Sequence, residues 1–191
     1  MAADEGLFNR LNGCWAEKHR HYHTPQHLRE CMAYLDAAYE DANSPAEIRL
    51  ALWFHDAFYD PRREDNEARS AQWASESVLQ AGLDPALAAR VHAMVMATQG
   101  HAGAAGRDMQ LLLDIDLAIL GAEPARFDES DVQVRAEYAH VPDAQFRQGR
   151  CRVLQGFLAR PRLYGTPRFH DALDPQARDN LRRSLARLSA G

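Results

Sequence analysis

Residues 45–59 read PAEIRLALWFHDAFY, and this stretch decides the fold class. It follows Ser44, a capping residue, with Pro45 at the first helical position, and Glu47 completes a capping box. The stretch therefore predicts a helix with one buried face. The side chains that share this face at the three-and-four spacing of a helix are Ile48, Ala51, Leu52, His55 and Phe58.

The same helix-start signal recurs along the chain. A capping residue precedes proline at Thr24-Pro25, Asp84-Pro85 and Asp174-Pro175. No convincing alternation of the kind found in strands appears, so the sequence predicts an all-α protein, and its 191 residues suit one domain. The predicted helices cover residues 5–19, 25–41, 45–59, 66–81, 85–99, 109–120, 124–139, 143–159 and 175–188.

The composition excludes several classes of protein. A net charge of -5 argues against general affinity for nucleic acid, and no apolar run approaches the roughly eighteen residues of a membrane span. The first residues are acidic where a signal peptide is basic, so we expect a cytoplasmic protein with neither a nucleic-acid polymer nor a membrane as partner. The 3 cysteines have no paired spacing, which predicts small core residues at Cys14, Cys31 and Cys151.

His55 and Asp56 carry the first chemical signal. An ionised carboxylate inside an apolar helix needs a cation or several hydrogen-bond donors. A divalent ion between the two side chains would meet that need and would favour carboxylate and neutral imidazole. The same letters, FHDA, recur at residues 169–172, but beside prolines and arginines and outside any apolar run. We therefore expect His170 and Asp171 to be surface residues.

Two further residues extend this pair into a candidate metal site. His27 stands in the first turn of a predicted helix, and Asp116 lies in the apolar run LLLDIDLAIL at 111–120, where its three-and-four neighbours predict an inward position. The alternative is a set of hydrogen-bonded polar residues in a helical core. Such a nitrogen and oxygen set suits one divalent ion: manganese, magnesium, iron, cobalt, nickel or zinc. The predicted ligands are His27, His55, Asp56 and Asp116.

These residues resemble the HD superfamily of metal-dependent phosphohydrolases, whose pattern is a histidine, a His-Asp pair and a distant aspartate. The resemblance implies an HD-type helical bundle that hydrolyses a phosphoester or phosphoanhydride. It also implies a single domain in which residues 121–191 form a C-terminal helical extension packed on the metal-binding core. The segments similar to small bacterial HD phosphohydrolases are YHTPQH (22–27), FHD (54–56), NE (66–67), SA (70–71), ATQGH (97–101) and DIDLAILG (114–121).

The remaining candidate residues have roles that the sequence leaves open. Asp60 lies one helical turn after Asp56, where it either transfers a proton or ends the helix. Glu67 either orients the attacking water or interacts favourably with the positive N-terminal end of the next helix. His92 is interpreted as an ordinary helix residue. The candidates for substrate contact, each with an ordinary helix or ion-pair alternative, are Arg20, His23, Arg69, His101 and Arg150.

Three functions stay open on the sequence alone. The leading hypothesis is hydrolysis of a small phosphorylated substrate, a nucleotide foremost, by one divalent ion. The second is a di-iron oxygenase of the HD type, similar to myo-inositol oxygenase, with His92 and His101 as extra ligands, although helical phase places these two apart. The third is a non-catalytic nucleotide-binding module. A chain of this size is also compatible with a homodimer.

Overall fold

The computed structural model describes residues 5–101 and 106–190, and every regular element in those ranges is helical. The prediction of an all-α protein is therefore confirmed. Short 3-10 helices at Tyr39–Asp41 and Leu117–Gly121 accompany the α-helices. The α-helices are α1 (Glu5–Trp15), α2 (Pro25–Ala37), α3 (Pro45–Phe54), α4 (Asn66–Gln80), α5 (Pro85–Ala97), α6 (Arg107–Asp116), α7 (Pro124–Glu137), α8 (Asp143–Leu158) and α9 (Pro167–Ala190).

The chain divides into two compact units, of which the first ends at Ile115 and the second begins at Asp116. Each unit has its own buried apolar residues. Among the helices of the described ranges, none combines the length and the apolar character needed to cross a lipid bilayer. The expectation of a single domain with an extension from residue 121 stays a prediction.

Helix α3 organises the core of the first unit. It packs against α2, α4 and α5, and Ile48, Leu52 and Phe54 have no exposed surface. Burying a side chain of this size stabilises a fold by about 1.5–3 kcal/mol. The ring of Trp73 on α4 meets that of Phe54 edge to face, with centroids 5.4 Å apart. The C-terminal end of α3, where the candidate ligands begin, is therefore anchored in the core.

Two of the predicted helix starts are confirmed as side-chain caps, and a third, at Ser44-Pro45, is confirmed as a start but without the predicted capping box. The Thr24 and Asp84 side chains each accept a hydrogen bond from the backbone N–H two residues further on. The capping box predicted at Ser44 does not form, because its side chain makes no cap. Instead, the backbone N–H of Ser44 donates to Oδ2 of Asp108 on α6 at 2.8 Å. This contact ties α6 to the segment that enters α3.

The predicted start of the last helix at Asp174-Pro175 is also wrong. Helix α9 begins at Pro167, directly after Thr166, so a start signal of the same kind lies further upstream. Pro175 lies inside the helix. The Asp174 carboxylate accepts the backbone N–H of Leu163 at 3.0 Å, and this tertiary contact takes the place of a cap.

Several helices end earlier than predicted, and the end of α3 matters most for the site. It falls at Phe54 and not at residue 59. The chain then turns, and the backbone carbonyls of residues 56–60 accept hydrogen bonds from side chains of other segments. These tertiary bonds replace the bonds of a longer helix. The other ends that fall two or more residues early are Trp15 in α1, Ala37 in α2, Ala97 in α5, Asp116 in α6 and Glu137 in α7.

In the second unit, α9 packs against α7, α8 and the 3-10 helix Leu117–Gly121. The end of a helix leaves carbonyl groups that need donors. The buried Asn180 side chain supplies them, because it donates to the Leu120 carbonyl at 2.9 Å and to the Ala122 carbonyl at 2.8 Å. The Tyr164 hydroxyl donates to the Leu117 carbonyl at 3.1 Å.

The cysteines are free thiols, and their predicted burial is only partly confirmed. Cys31 is buried on α2, whereas Cys14 and Cys151 are half-buried. Burial raises the pKa of the Cys14 thiol, and the nearby Glu17 carboxylate acts in the same direction. The expectation of three core cysteines is therefore wrong for Cys14 and Cys151.

Candidate metal centre

Three of the four predicted ligands converge in the first unit. Nε2 of His27 lies 3.3 Å from Nε2 of His55, and Oδ2 of Asp56 lies 2.9 Å from Nε2 of His55. The separation between Nε2 of His27 and Oδ2 of Asp56 is 3.9 Å. These residues are thus a group that could hold a metal ion.

Two helix termini place the imidazoles. His27 is the third residue of α2, whose start is fixed by Pro25 and by the Thr24 cap. His55 directly follows the last residue of α3. Its Nδ1 lies 2.8 Å from the Leu52 carbonyl, and because a carbonyl only accepts, Nδ1 carries the proton. The proton on Nδ1 leaves Nε2 as the ring nitrogen that can bind a metal ion.

The spacing of these atoms fits a single ion. Two ligand atoms bound at about 2.1 Å are separated by about 3.0 Å at a right angle and by about 3.4 Å at the tetrahedral angle. The two shorter separations, 2.9 and 3.3 Å, match these values, and the third, 3.9 Å, requires a wider angle. The alternative occupant of the gap between His55 and Asp56 is a proton on Nε2.

Aromatic side chains surround the imidazoles. The Trp15 ring lies 5.4 Å from that of His55, and the Tyr22 ring lies 4.9 Å from that of His27, centroid to centroid. The His27 and His55 side chains are 3% and 1% exposed, but that of Asp56 is 14% exposed. The carboxylate is therefore less buried than the sequence predicted. In a weakly polar surrounding, charge interactions at this side chain are stronger than in water.

Cys31 is a neighbour of this group that the sequence analysis missed. It lies one turn after His27 on α2, and its Sγ is 3.7 Å from both ring nitrogens of that histidine. The thiol is 1% exposed. The spacing of four residues between His27 and Cys31 could have indicated this contact from the sequence, because residues four apart lie on the same helix face.

Asp116, the fourth predicted ligand, is the last residue of α6 and is half-buried. It is also the first residue of the second unit, and its role as a ligand stays a prediction. The predicted inward position of Asp116 assumed that α6 continues to residue 120, but the residues after Asp116 form a 3-10 helix. Asp114 is more deeply buried, at 1% exposure, and accepts a hydrogen bond from Gln110 at 2.9 Å.

The two candidate proton-transfer residues lie on either side of a short loop. Asp60 is outside any helix, so its predicted position one turn along the helix from Asp56 is wrong. Its Oδ1 accepts the backbone N–H of Arg62 at 2.9 Å, which stabilises the local turn. Glu67 is half-buried in the first turn of α4. A catalytic role for either residue stays a prediction.

Arg20 and His23 both lie close to the predicted metal ligands, but only His23 is exposed enough to contact a substrate. The Arg20 side chain has 0% exposure. It donates to the carbonyls of Asp56 at 2.6 Å and Ala57 at 3.0 Å, so a direct phosphate contact is not supported. The half-buried His23 ring stacks on Tyr59 with centroids 4.0 Å apart and lies 6.0 Å from the His27 ring.

The other candidates for substrate contact are spread over both units. Arg69 is exposed, with its guanidinium 4.2 Å from the centroid of the Phe58 ring. His101 is half-buried and has a positive φ of 47°, in the turn after α5. Arg150 on α8 belongs to the second unit, where it pairs with Asp131 at 2.8 Å. Their roles toward a substrate stay predictions.

The second FHDA copy differs from the first in its surroundings. Asp171 is exposed, as predicted, but His170 is half-buried on α9. Oδ1 of Asp174 lies 3.5 Å from its Nδ1. The FHDA copies thus have unlike environments, because His55 ends a core helix whereas His170 lies within α9. The interpretation of His170 as a surface residue is therefore only partly right.

No protein-family model matches the chain, and no curated protein or solved structure matches it either. The likeness to the HD superfamily therefore rests on the residues of this chain. Its order of ligands, a histidine followed by a His-Asp pair, is the order of the side chains that converge at His27, His55 and Asp56.

Proposed function

We propose that the chain is a metal-dependent phosphohydrolase of the HD type that acts on a small phosphorylated metabolite, a nucleotide foremost. The observation that carries this proposal is the convergence of His27 Nε2, His55 Nε2 and Asp56 Oδ2 at spacings that suit one divalent ion. Asp116 is the proposed fourth ligand. The resemblance in motif order supplies the reaction class.

The donor atoms indicate the class of metal ion that the site would bind. Neutral imidazole and carboxylate suit borderline and hard divalent ions, so manganese, iron, cobalt, nickel, zinc and magnesium are all candidates. The His55 tautomer is set by its bond to the Leu52 carbonyl, which leaves Nε2 available as a ligand. When bound, such an ion polarises a phosphoryl oxygen and lowers the pKa of a coordinated water.

The protein's own groups fill the other requirements of phosphoryl transfer. Asp60 and Glu67 are the proposed proton-transfer residues, since each carries a carboxylate at an end of the loop after the His-Asp pair. His23, Arg69, His101 and Arg150 are the proposed contacts for the negative charge of a phosphorylated substrate. Trp15 and Tyr22 shield the imidazoles from bulk water.

Metal content and turnover test the proposal together. The full chain is loaded with Mn²⁺, desalted and analysed for metal per chain, and then assayed for phosphate or pyrophosphate release from a panel of nucleotides and phosphorylated metabolites. We expect about one ion per chain and release that Asp56→Asn abolishes. Asp36→Asn, at a carboxylate 63% exposed on the same unit, is the matched control.

The competing functions give different results in the same experiment. Two irons per chain would indicate the oxygenase, and one bound ion with no turnover across the panel would indicate the non-catalytic module. No retained metal after loading would refute the proposed centre.

A further inference from the structure

The turn that carries Asp56 is held almost entirely by side chains. Helix α3 ends at Phe54, so the carbonyls of residues 56–60 have no place in a regular helix. Each of the five consecutive carbonyls nevertheless accepts a side-chain hydrogen bond. Buried backbone polar groups are nearly always paired in native proteins, and here one non-helical segment draws its partners from two others, the residues after α1 and helix α4.

Arg20 contributes most to this arrangement. Its guanidinium donates to the carbonyls of Asp56 at 2.6 Å and Ala57 at 3.0 Å, and also to the carbonyl of His23 at 3.4 Å. Glu17 balances its charge at 2.8 Å. A single buried side chain thus bonds the backbone of the turn that carries Asp56 and the backbone four residues before His27.

Two residues of α4 hold the other end of the turn. Oδ1 of Asn66 accepts the backbone N–H of Asp60 at 3.1 Å, and its Nδ2 donates to the carbonyl of the same residue at 2.9 Å. Ser70, one helical turn later, accepts the backbone N–H of Phe58 at 3.0 Å. Asn66 and Ser70 are 9% and 0% exposed.

The backbone of this turn governs where the carboxylate ligand stands. An aspartate side chain has only two rotatable bonds, so Oδ2 of Asp56 follows the position of its own Cα. His27 lies within a helix and His55 bonds back to the Leu52 carbonyl, but Asp56 lies beyond the helix end. Ligand sites need atoms placed to within about 0.5 Å, which a turn without supports does not provide.

We propose that Arg20, Asn66 and Ser70 are positioning residues that hold the 56–60 turn so that the Asp56 carboxylate meets the two imidazoles. This inference rests on the proposed metal centre. It assigns Arg20 a role on the backbone of the site, in place of the substrate contact that the sequence predicted. Lysine cannot replace it, because one ammonium group cannot reach the separate carbonyls that the planar guanidinium spans.

Mn²⁺ affinity of the full chain tests the proposal, measured by the electron paramagnetic resonance signal of free Mn²⁺. Supporting residues around a metal site typically contribute about 10–100-fold to affinity, so we expect Arg20→Lys to weaken binding by that factor. Arg90→Lys is the matched control, because Arg90 is 52% exposed and pairs with Glu47 in the same unit. Its affinity should stay within about twofold of wild type.

A second variant and a rescue guard against mere loss of folding. Ser70→Ala removes one hydroxyl and is expected to weaken Mn²⁺ binding by about tenfold at an unchanged helical circular dichroism spectrum. Millimolar methylguanidinium should restore part of the affinity of Arg20→Ala but not that of Asp56→Asn. In metal-free protein, hydrogen exchange at the Phe58 amide should be faster in Ser70→Ala than in wild type.

The outcomes separate this inference from the proposed function. Weakened binding in both variants, with rescue and with an unaffected Arg90→Lys, supports it. Wild-type affinity in Arg20→Lys and Ser70→Ala overturns it and leaves the metal centre standing. An equal loss in Arg90→Lys also overturns it, because the effect would then be general. Wild-type protein that retains no Mn²⁺ overturns both.

Discussion

Nε2 of His55 lies 2.9 Å from Oδ2 of Asp56, although the two residues are neighbours in the chain. In a continuous α-helix, neighbouring side chains point about 100° apart. Here the regular helix ends at Phe54, but His55 keeps right-handed helical backbone angles and its N–H donates to the Ala51 carbonyl, so the two side chains meet just beyond the helix end. The helix predicted to residue 59 is therefore wrong in its end, whereas the pair that it was predicted to carry does converge.

Asp56→Asn tests the ligand role directly. The amide keeps the size of the side chain but removes its charge, so we expect Mn²⁺ affinity to fall by on the order of 100-fold or more. Isothermal titration of metal-free protein measures this. Asp36→Asn should bind as wild type does, since that carboxylate pairs with Arg49 on the surface. Equal affinity in wild type and Asp56→Asn would contradict the assignment.

Metal removal should lower stability without unfolding the chain. A ligand present at 100 times its dissociation constant stabilises the folded state by about 2.7 kcal/mol, which corresponds to roughly 5–10 °C in melting temperature. Chelation should reverse that shift while the helical circular dichroism signal remains, because the residues of α3 that form the core are apolar. A shift of the same size in Asp56→Asn would show that the ion acts elsewhere.

The positions of the two imidazoles could be predicted because local rules govern them. Pro25 and its Thr24 cap fix the start of α2 and hence His27, and the three-and-four stripe of α3 brings His55 to the buried face. Each signal lies within a few residues of the histidine whose position it predicts, and tertiary packing did not override either signal.

What the sequence could not predict depends on distant contacts. Just beyond the end of α3, the Asp56 carbonyl accepts a hydrogen bond from Arg20, which lies 36 residues away in the chain. No local pattern around Arg20 indicates this, so a guanidinium near two histidines was interpreted as a phosphate contact. The phase assigned to Asp60 was wrong for the same reason, since it assumed that α3 continues.

Gly121 leaves no room for a side chain. A Cβ there would lie 2.6 Å from Cβ of Leu173 and 2.8 Å from its carbonyl oxygen, and the backbone atom cannot easily move. Gly121→Ala should therefore destabilise the second unit by about 1–3 kcal/mol, measured by urea denaturation.

A glycine on α8 provides the matched control for this substitution. Gly156 lies inside that helix with no atom within 4 Å of an added Cβ. Gly156→Ala should stabilise by about 0.5–1 kcal/mol, because alanine favours the helix. If Gly121→Ala and Gly156→Ala changed the free energy of unfolding in the same direction, the contact with Leu173 would not explain the effect at Gly121.

Asp174 gives the second unit a dependence on acidic pH. Burial raises the pKa of this carboxyl, whereas hydrogen bonds from Arg178 at 2.6 Å and from the Leu163 N–H at 3.0 Å lower it. The charges of Arg178 and His170 act in the same direction, and the pKa lies below its ordinary value. Such a carboxyl stabilises the fold fully above its unfolded pKa of about 3.9.

We therefore expect Asp174→Asn to destabilise the chain near neutral pH, and the difference from wild type to shrink as pH falls below about 4. It shrinks because the wild-type carboxyl becomes protonated as pH falls through its folded pKa, and the protonated acid resembles the amide. Urea denaturation at a series of acidic pH values measures the difference. Asp179→Asn, at a carboxylate 71% exposed on the same helix, should change stability little at any pH. A difference that stays constant throughout the acidic range would mean that Asp174 stabilises the second unit through its shape and not through its charge.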